Sequence, residues 1–220
     1  MLALLFFAGS SAFAESPSAD DILRAARMST AGRQERLNAE LQTEDGRTPF
    51  VISVDKGVVT YDFANPPQQI QMVVGADSVE LRERAGGVSG EVKPARYDEK
   101  VRGSVLSYED LALRFLYWPR AKLLGEETIR GLKCRKVEVL APKGQSQYSG
   151  ARVWISEDNG AAMRIEVYGP DGRIIKGFEV LSVQKVGGQW MLKTMRVTTY
   201  DPQTHKAAER TNLKVLGEAR

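Results

Sequence analysis

Apolar and polar positions alternate with a period of two through most of this chain, the signature of half-buried strands. The pattern begins at "RLNAELQT", residues 36–43, where Leu37, Ala39 and Leu41 share one side. It continues through "PFVISVDKG" and "VVTYDFANPP", joined by a Lys56-Gly57 turn, and through "QQIQMVVGADSVELRER", two strands about Gly75-Ala76-Asp77. After residue 130 it resumes in "LKCRKVEVL", whose parity changes near Arg135-Lys136 and so predicts a bulge there. "ARVWISEDNG" and "AAMRIEVYGPDG" meet at Asp158-Asn159-Gly160. "RIIKGFEVLSVQKVGG" and "QWMLKTMRVTTYDPQT" meet at Gly187-Gly188, and "HKAAERTNLKVL" follows the Asp201-Pro202 turn. Closely spaced turn residues between alternating runs predict an antiparallel meander of about eleven strands. Residues 85–105 are rich in glycine and charge, less periodic, and read as a mobile connection holding at most one edge strand.

Two stretches break the period. In "SADDILRAARMSTA", Ser18 and Asp21 stand at capping-box spacing, and Ile22, Ala25, Ala26 and Ser29 fall on one helical face. In "SYEDLALRFLYWP", residues 107–119, Ser107 and Asp110 repeat that spacing. Leu111 and Phe115 then share a face, with Leu113, Leu116 and Trp118 nearby, and Pro119 stops the helix and drives Trp118 into an extended conformation. A meander this long cannot remain flat, because strand twist accumulates until the sheet curls or closes. Its concave face needs apolar cover, and the short amphipathic helices are the natural plug. The fold class is therefore mainly β, a curled antiparallel sheet with two or three short α-helices lidding the concave face.

Composition narrows the function. With 220 residues, 42% of them hydrophobic and 27% charged, the chain can build a core and is not a disordered one. A net charge of +3 supplies no basic stripe, so nucleic acid is not expected as a partner. "MLALLFFAGSSAFAES" is an apolar run ending in an A-x-A pattern at Ala12-Phe13-Ala14, which predicts a signal peptide over residues 1–14, cleaved after Ala14, although no Lys or Arg precedes the run. The run falls short of the roughly 20 residues a membrane-spanning helix needs. Residues 15–220 then form a single domain, expected to be a monomer that does not span a membrane.

Catalytic chemistry finds no purchase. His205 is the single histidine, placed just after a predicted hairpin turn, which excludes Ser-His-Asp, Cys-His and HExxH arrangements. Cys134 is the single cysteine, so no internal disulfide forms, and it reads as a small buried hydrophobe. "AGGVSG" lacks the Lys-Ser/Thr ending of a phosphate loop. No enzyme, cofactor or metal is expected. What remains is an apolar inventory larger than a thin sandwich face needs: Phe50, Ile52, Tyr61, Phe63, Ile70, Met72, Trp154, Met163, Ile165, Phe178, Trp190 and Met195. An ordinary core accounts for any one of them. As a set they suit an incompletely filled concave face that receives an acyl chain under Leu111, Phe115 and Trp118.

Five segments carry a resemblance: "ADDILRAARM", "SYEDLALRFLYWP", "GEETIRGLKCRKVEV", "RVWISEDNGAAMRIEVYGPDGRIIKGFEV" and "GGQWMLKTMRVTTYDPQTHKA". Together they resemble the outer-membrane lipoprotein-sorting proteins, the LolA/LolB-like group, over nearly the whole of residues 15–220. The resemblance implies a half-open antiparallel β-barrel with helices lidding a hydrophobic cavity, at work in the periplasm. It implies lipoprotein or lipid acyl chains as cargo, inner- or outer-membrane transfer proteins as partners, and an arginine that holds the lid shut, for which Arg47 stands in about the right early-strand region. The alternative, from another class, is an envelope sensor or interaction module of the same fold that binds a partner protein.

Overall fold

In the computed structural model, which describes residues 17–29, 33–186 and 189–219, thirteen strands form one antiparallel sheet. The strands are β1 (Gln34–Gln42), β2 (Arg47–Asp55), β3 (Val58–Phe63), β4 (Gln68–Val74), β5 (Val79–Ala85), β6 (Val88–Glu91), β7 (Lys122–Ile129), β8 (Leu132–Leu140), β9 (Gly150–Ser156), β10 (Ala162–Tyr168), β11 (Ile174–Val186), β12 (Gln189–Tyr200) and β13 (Ala207–Glu218). Their spatial order is β6-β5-β4-β3-β2-β1-β13-β12-β11-β10-β9-β8-β7. Every pairing but one joins neighbours in sequence; the exception seats β1 against β13 at the centre of the sheet. Both edges, β6 and β7, belong to the middle of the chain, and the segment between them must travel from one edge to the other.

That segment, residues 92–121, runs through the inside of the curl. Val92, Val101, Ser104, Val105 and Leu106 are all buried, and the Val105 amide donates to Thr211 Oγ1 at 3.0 Å. The expectation of a mobile connection over 85–105 is therefore wrong for its second half: glycine and charge mark tight turns there, while isolated valines too widely spaced for any period supply the burial. Helix α2 (Tyr108–Leu111) follows, and the continuous helix expected through Phe115 is broken. Leu113 takes a left-handed conformation (φ 47°), after which Arg114–Tyr117 form a 3-10 turn and Trp118 is extended before Pro119.

Helix α1 (Ala19–Met28) has the capping box expected of Ser18 and Asp21, and α2 has that of Ser107 and Asp110. The face α1 buries is Ala19, Ile22, Leu23 and Ala26, which adds Ala19 and Leu23 to the expected set, leaves Ala25 exposed and Ser29 half-buried at the C-cap. The Lys56-Gly57 turn is present with positive φ at both residues (47° and 82°), as a two-residue hairpin requires. The Gly187-Gly188 turn and the signal peptide lie outside the described residues.

Strands β6 and β7 raise the count above about eleven, and both are edges. Edge strands carry little alternation because little of them is covered: all of β6 is exposed. The parity change in "LKCRKVEVL" is not a bulge in β8, which pairs regularly with β9; the irregularity lies in β7, between Leu123 and Gly125. Parity breaks because this end of the sheet is covered on both sides. Val137 faces the main core, while Cys134 joins Trp154, Met163 and Val180 in a second, smaller cluster.

Candidate functional site

The inner face is assembled by register. Phe50 pairs with Phe63, Ile52 with Tyr61, Tyr61 with Ile70, and Met72 with Leu81, so β2–β5 present one apolar wall. The Phe50 and Phe63 rings stack with centroids 4.9 Å apart, and burial pushes the Tyr61 phenol up to about 12. Opposite, Ile165 pairs with Phe178 and with Val153. Phe115 stands between the walls, fully enclosed, 6.1 Å from the Phe178 ring and 6.3 Å from Trp118 in an edge-to-face contact. Phe50, Phe63, Ile70, Met72, Leu111, Phe115, Trp118, Ile165 and Phe178 thus belong to one buried cluster, with Ile52 and Tyr61 half-buried against it.

Four expected positions lie elsewhere, among them Met163, which joins Trp154 in the smaller cluster. Trp154 pairs with Lys136 and Arg164 on the opposite face of the sheet from Val153, and its Nε1 donates to Glu127 Oε2 at 2.7 Å. Two-sided burial at that end of the sheet made its parity misleading. Trp190 is exposed. Arg47 begins β2 with its side chain largely in solvent, 4.0 Å from the Glu40 carboxylate, and touches neither helix.

Arg27, at the end of α1, joins that helix to the Arg114–Tyr117 turn. Its Nη1 donates to the Leu116 carbonyl at 2.8 Å and its guanidinium lies 5.0 Å from the Tyr117 ring centroid. Tyr117 in turn donates from its hydroxyl to the Gly75 carbonyl at 3.2 Å, so the clasp reaches the β4–β5 turn. On its other flank α1 approaches the β9–β10 turn so closely that a Cβ on Gly160 would come 3.4 Å from the Ala25 carbonyl oxygen. A cleft of about 280 Å³ opens there, between Ile22 and Ala25 on one side and Arg135, Ile155 and Glu157 on the other. Two further clefts, of about 740 Å³ around Tyr168 and Tyr200 and about 380 Å³ beside Phe63, lie outside this interior.

Helix α2 is held differently, by polar groups on both walls. On one side Glu83 of β5 accepts from the Tyr108 hydroxyl, from Gln68 Nε2 at 2.6 Å and from Arg96 Nη1 at 2.8 Å. Burial raises the Glu83 carboxyl, but these three donors outweigh it and leave the group below its ordinary value. On the other side Lys176 of β11 donates to Asp110 Oδ2 at 2.7 Å and to the Tyr148 hydroxyl at 2.9 Å, while Tyr148 donates to Asp110 Oδ1 at 2.8 Å. Asp110 is fully buried and also accepts from the Ser107 amide at 2.8 Å, so one carboxylate caps the helix and bolts it to the sheet. Neither Glu83 nor Lys176 was singled out from sequence. The signal was there: each follows the inward parity of a large apolar neighbour, Leu81 and Phe178, where a charge demands a buried partner.

Glu109, beside Asp110, is fully buried, with Ser146, the Gln147 backbone and, at 3.7 Å, Arg114 close to its carboxylate. Burial raises its carboxyl above the ordinary range, with Arg114 opposing. A raised folded-state value means the folded chain binds the proton more tightly than the unfolded one, so stability falls as pH rises between the ordinary carboxylate value and the raised one. Glu109→Gln should abolish that fall, which urea denaturation across the acidic range would read out; an unchanged slope would mean Glu109 is not its source.

Among the described residues no group of three His, Cys, Asp or Glu side chains is placed to hold a metal, and no helix is long and apolar enough to cross a membrane. A family model described as "Uncharacterized protein" matches residues 91–216, more than half of the chain. Curated proteins give no match. Among solved structures, a domain named for outer membrane lipoprotein sorting from Vibrio parahaemolyticus is similar at a TM-score of 0.66 and 16% identity, over 90% of this chain and 91% of that one. A LolA superfamily protein from Nitrosomonas europaea is similar at 0.62 and 17%, over 93% and 94%. A DUF1329 family protein from Desulfovibrio piger follows at 0.60 and 19%, over 90% and 89%. At such identities the likeness is one of fold. The chain belongs to the family whose model spans residues 91–216, and its curled sheet, crossed inside by two helical segments, is the LolA-like fold of the outer-membrane lipoprotein-sorting domains.

Proposed function

We propose that this chain is a non-enzymatic periplasmic binding protein, exported by a leader ending at Ala14, that carries lipoprotein or other lipid acyl chains toward the outer membrane. The chains enter between the sheet and α1. Phe50, Ile52, Tyr61, Phe63, Ile70 and Met72 form one wall of the site, Ile165 and Phe178 the other, and Leu111, Phe115 and Trp118 its floor. Arg27 holds the lid, a role that Arg47 and its solvated side chain do not fill.

The observation that carries this reading is the unequal fastening of the two helices. Buried polar groups on both walls anchor α2, whereas α1 lies on the core through Ala19, Ile22, Leu23 and Ala26, the Arg27 clasp and one exposed ion pair, Arg24–Asp77 at 3.6 Å. Exposed pairs contribute about 0–1 kcal/mol. Lifting α1 would expose Ile22 and Leu23 at about 1.5–3 kcal/mol each, and burial of each acyl methylene returns about 0.8 kcal/mol, so a tail of roughly four to eight methylenes offsets the opening. In the closed state the protein's own side chains occupy the interior, which a tail would enter by displacing α1.

Native mass spectrometry of protein purified without detergent should reveal bound lipid. After delipidation the protein should take up a fluorescent fatty-acid probe, and Arg27→Ala should take it up several-fold faster. Absence of uptake by both forms would overturn the carrier reading. The filled interior of the closed state favours a second reading, a partner-binding envelope module of the same fold, in which a pull-down returns an envelope protein and neither form binds probe.

A further inference from the structure

We infer that the face of β11 and β12 carrying Val183, Lys185 and Trp190 is a docking surface for an anionic bilayer. Val183 pairs with Leu192 and Lys185 with Trp190 in unbroken register, so these four side chains share one face. The alternate residues Val186 and Met191 pack on the main core; on this face Leu192 is half-buried against both clusters, while Val183, Lys185 and Trp190 are exposed. Val183 is 44% exposed and Trp190 59%, with the Lys185 Nζ lying 5.2 Å from the indole centroid. Leu216 of β13, 59% exposed, lies close by, since the carbonyl of its neighbour Val215 accepts from Gln184 Nε2 at 3.0 Å. Other exposed large apolar side chains, Met28, Val73, Val88, Leu124 and Leu140, stand one to an element; here three stand in solvent on the successive neighbours β11, β12 and β13.

Charge identifies what covers them. Residues 180–198 and 212–217 contain Lys185, Lys193, Arg196 and Lys214 and no Asp or Glu. Of the nearest acids, Glu179 meets Arg130 at 3.1 Å and Glu40 meets Arg47 at 4.0 Å, while Glu218 closes β13 two residues beyond Leu216 as an exposed acid bordering the patch. A tryptophan and aliphatic side chains flanked on the same face by Lys185 and Lys214, whose stems can lie along them, fit the boundary between acyl chains and negatively charged headgroups. An acidic protein would satisfy the lysines and leave Trp190 and Leu216 without a hydrocarbon phase. This surface lies apart from the acyl-binding interior, and its occupancy does not require that reading.

The test uses the chain lacking residues 1–14 with vesicles of phosphatidylcholine, with and without phosphatidylglycerol. Trp118 and Trp154 are buried, so a blue shift of tryptophan emission on vesicle addition reports Trp190. The protein should co-sediment with anionic vesicles at low salt, show that shift, and be released by high salt. Trp190→Ser should abolish the shift and reduce partitioning at least tenfold, and Lys185→Gln with Lys214→Gln should reduce it about fivefold per cation. Val88→Ser, at the exposed β6 edge, should leave it unchanged. Fatty-acid probe uptake should be unaltered in Trp190→Ser, which separates this surface from the interior. Failure of the wild-type chain to bind anionic vesicles would overturn the proposal, as would binding that survives all three substitutions. So would a concentration-dependent dimer that Trp190→Ser dissociates, since the patch would then face a second copy of the chain.

Discussion

Lys176→Met should lower the unfolding free energy by about 3–5 kcal/mol, the magnitude expected when one partner of a buried ion pair is removed and the other is left behind. Lys176 and Asp110 are 9% and 0% exposed at their side chains and 2.7 Å apart, and Tyr148 touches both. With the ammonium gone, Asp110 keeps only the Tyr148 hydroxyl and the Ser107 amide. Asp110→Asn alone should be costly for the converse reason, a buried cation without its counter-ion. The double substitution should lose far less than the sum of the two, because amide and thioether together leave no buried charge. Urea midpoints of the four proteins form the cycle. Additive losses would mean that the pair does not work as a unit, and with that the account of α2 as a strut bolted to β11 would go.

Phe115→Ala should cost a comparable 3–5 kcal/mol, by a different route. Its ring is fully buried between the Phe178 wall and Trp118, and the backbone around it is pinned by Pro119 and the left-handed Leu113. Limited room for collapse keeps the resulting void open, and a void lined by aromatic and aliphatic groups stays dry and accepts small apolar molecules. Benzene or a short-chain alcohol should therefore raise the thermal midpoint of Phe115→Ala and leave that of the parent unchanged. A variant that loses the stability but gains no ligand response would show that the interior collapses once its central ring is gone.

The two substitutions probe a division of labour within one segment. The chain between β6 and β7 carries both a polar fastening at Tyr108–Asp110 and an apolar wedge at Phe115–Trp118, and α1 lies over the wedge. A ligand entering from the α1 side can disturb the wedge without releasing the fastening. Acid should weaken the other anchor. Glu83 is held below its ordinary value, so its contribution is present above the unfolded-state carboxylate value and is lost as pH falls through the depressed one.

Much of this architecture was written locally. Ser18–Asp21 and Ser107–Asp110 announced both helix starts, Lys56-Gly57 announced a hairpin, and the period of two located the eleven strands that have a covered face, because caps, turns and alternation depend on residues a few positions apart. Edge strand β7 escaped, and β6 was foreseen only as an edge within a loose connection, because too little packs on either to impose a pattern: all of β6 is exposed, and on β7 Leu123 and Ile129 reach a cluster. Trp154 and Cys134 misled because both faces of β8 and β9 are covered at one end, so that parity there no longer tells inside from outside.

By itself, then, the sequence determined a curled antiparallel sheet with capped helices and an apolar inner face, since these follow from short-range chemistry and from the need of a twisted meander to cover its concave side. Only the tertiary structure decided that residues 92–121 cross that interior, that Asp110 finds Lys176 and Tyr108 finds Glu83, and that Arg27 finds the Leu116 carbonyl. Those partners stand 66, 25 and 89 residues apart, Arg27 counted to Leu116. No local pattern encodes such a pairing; it is set by the curvature of the sheet, which brings opposite arms within reach of one short helix.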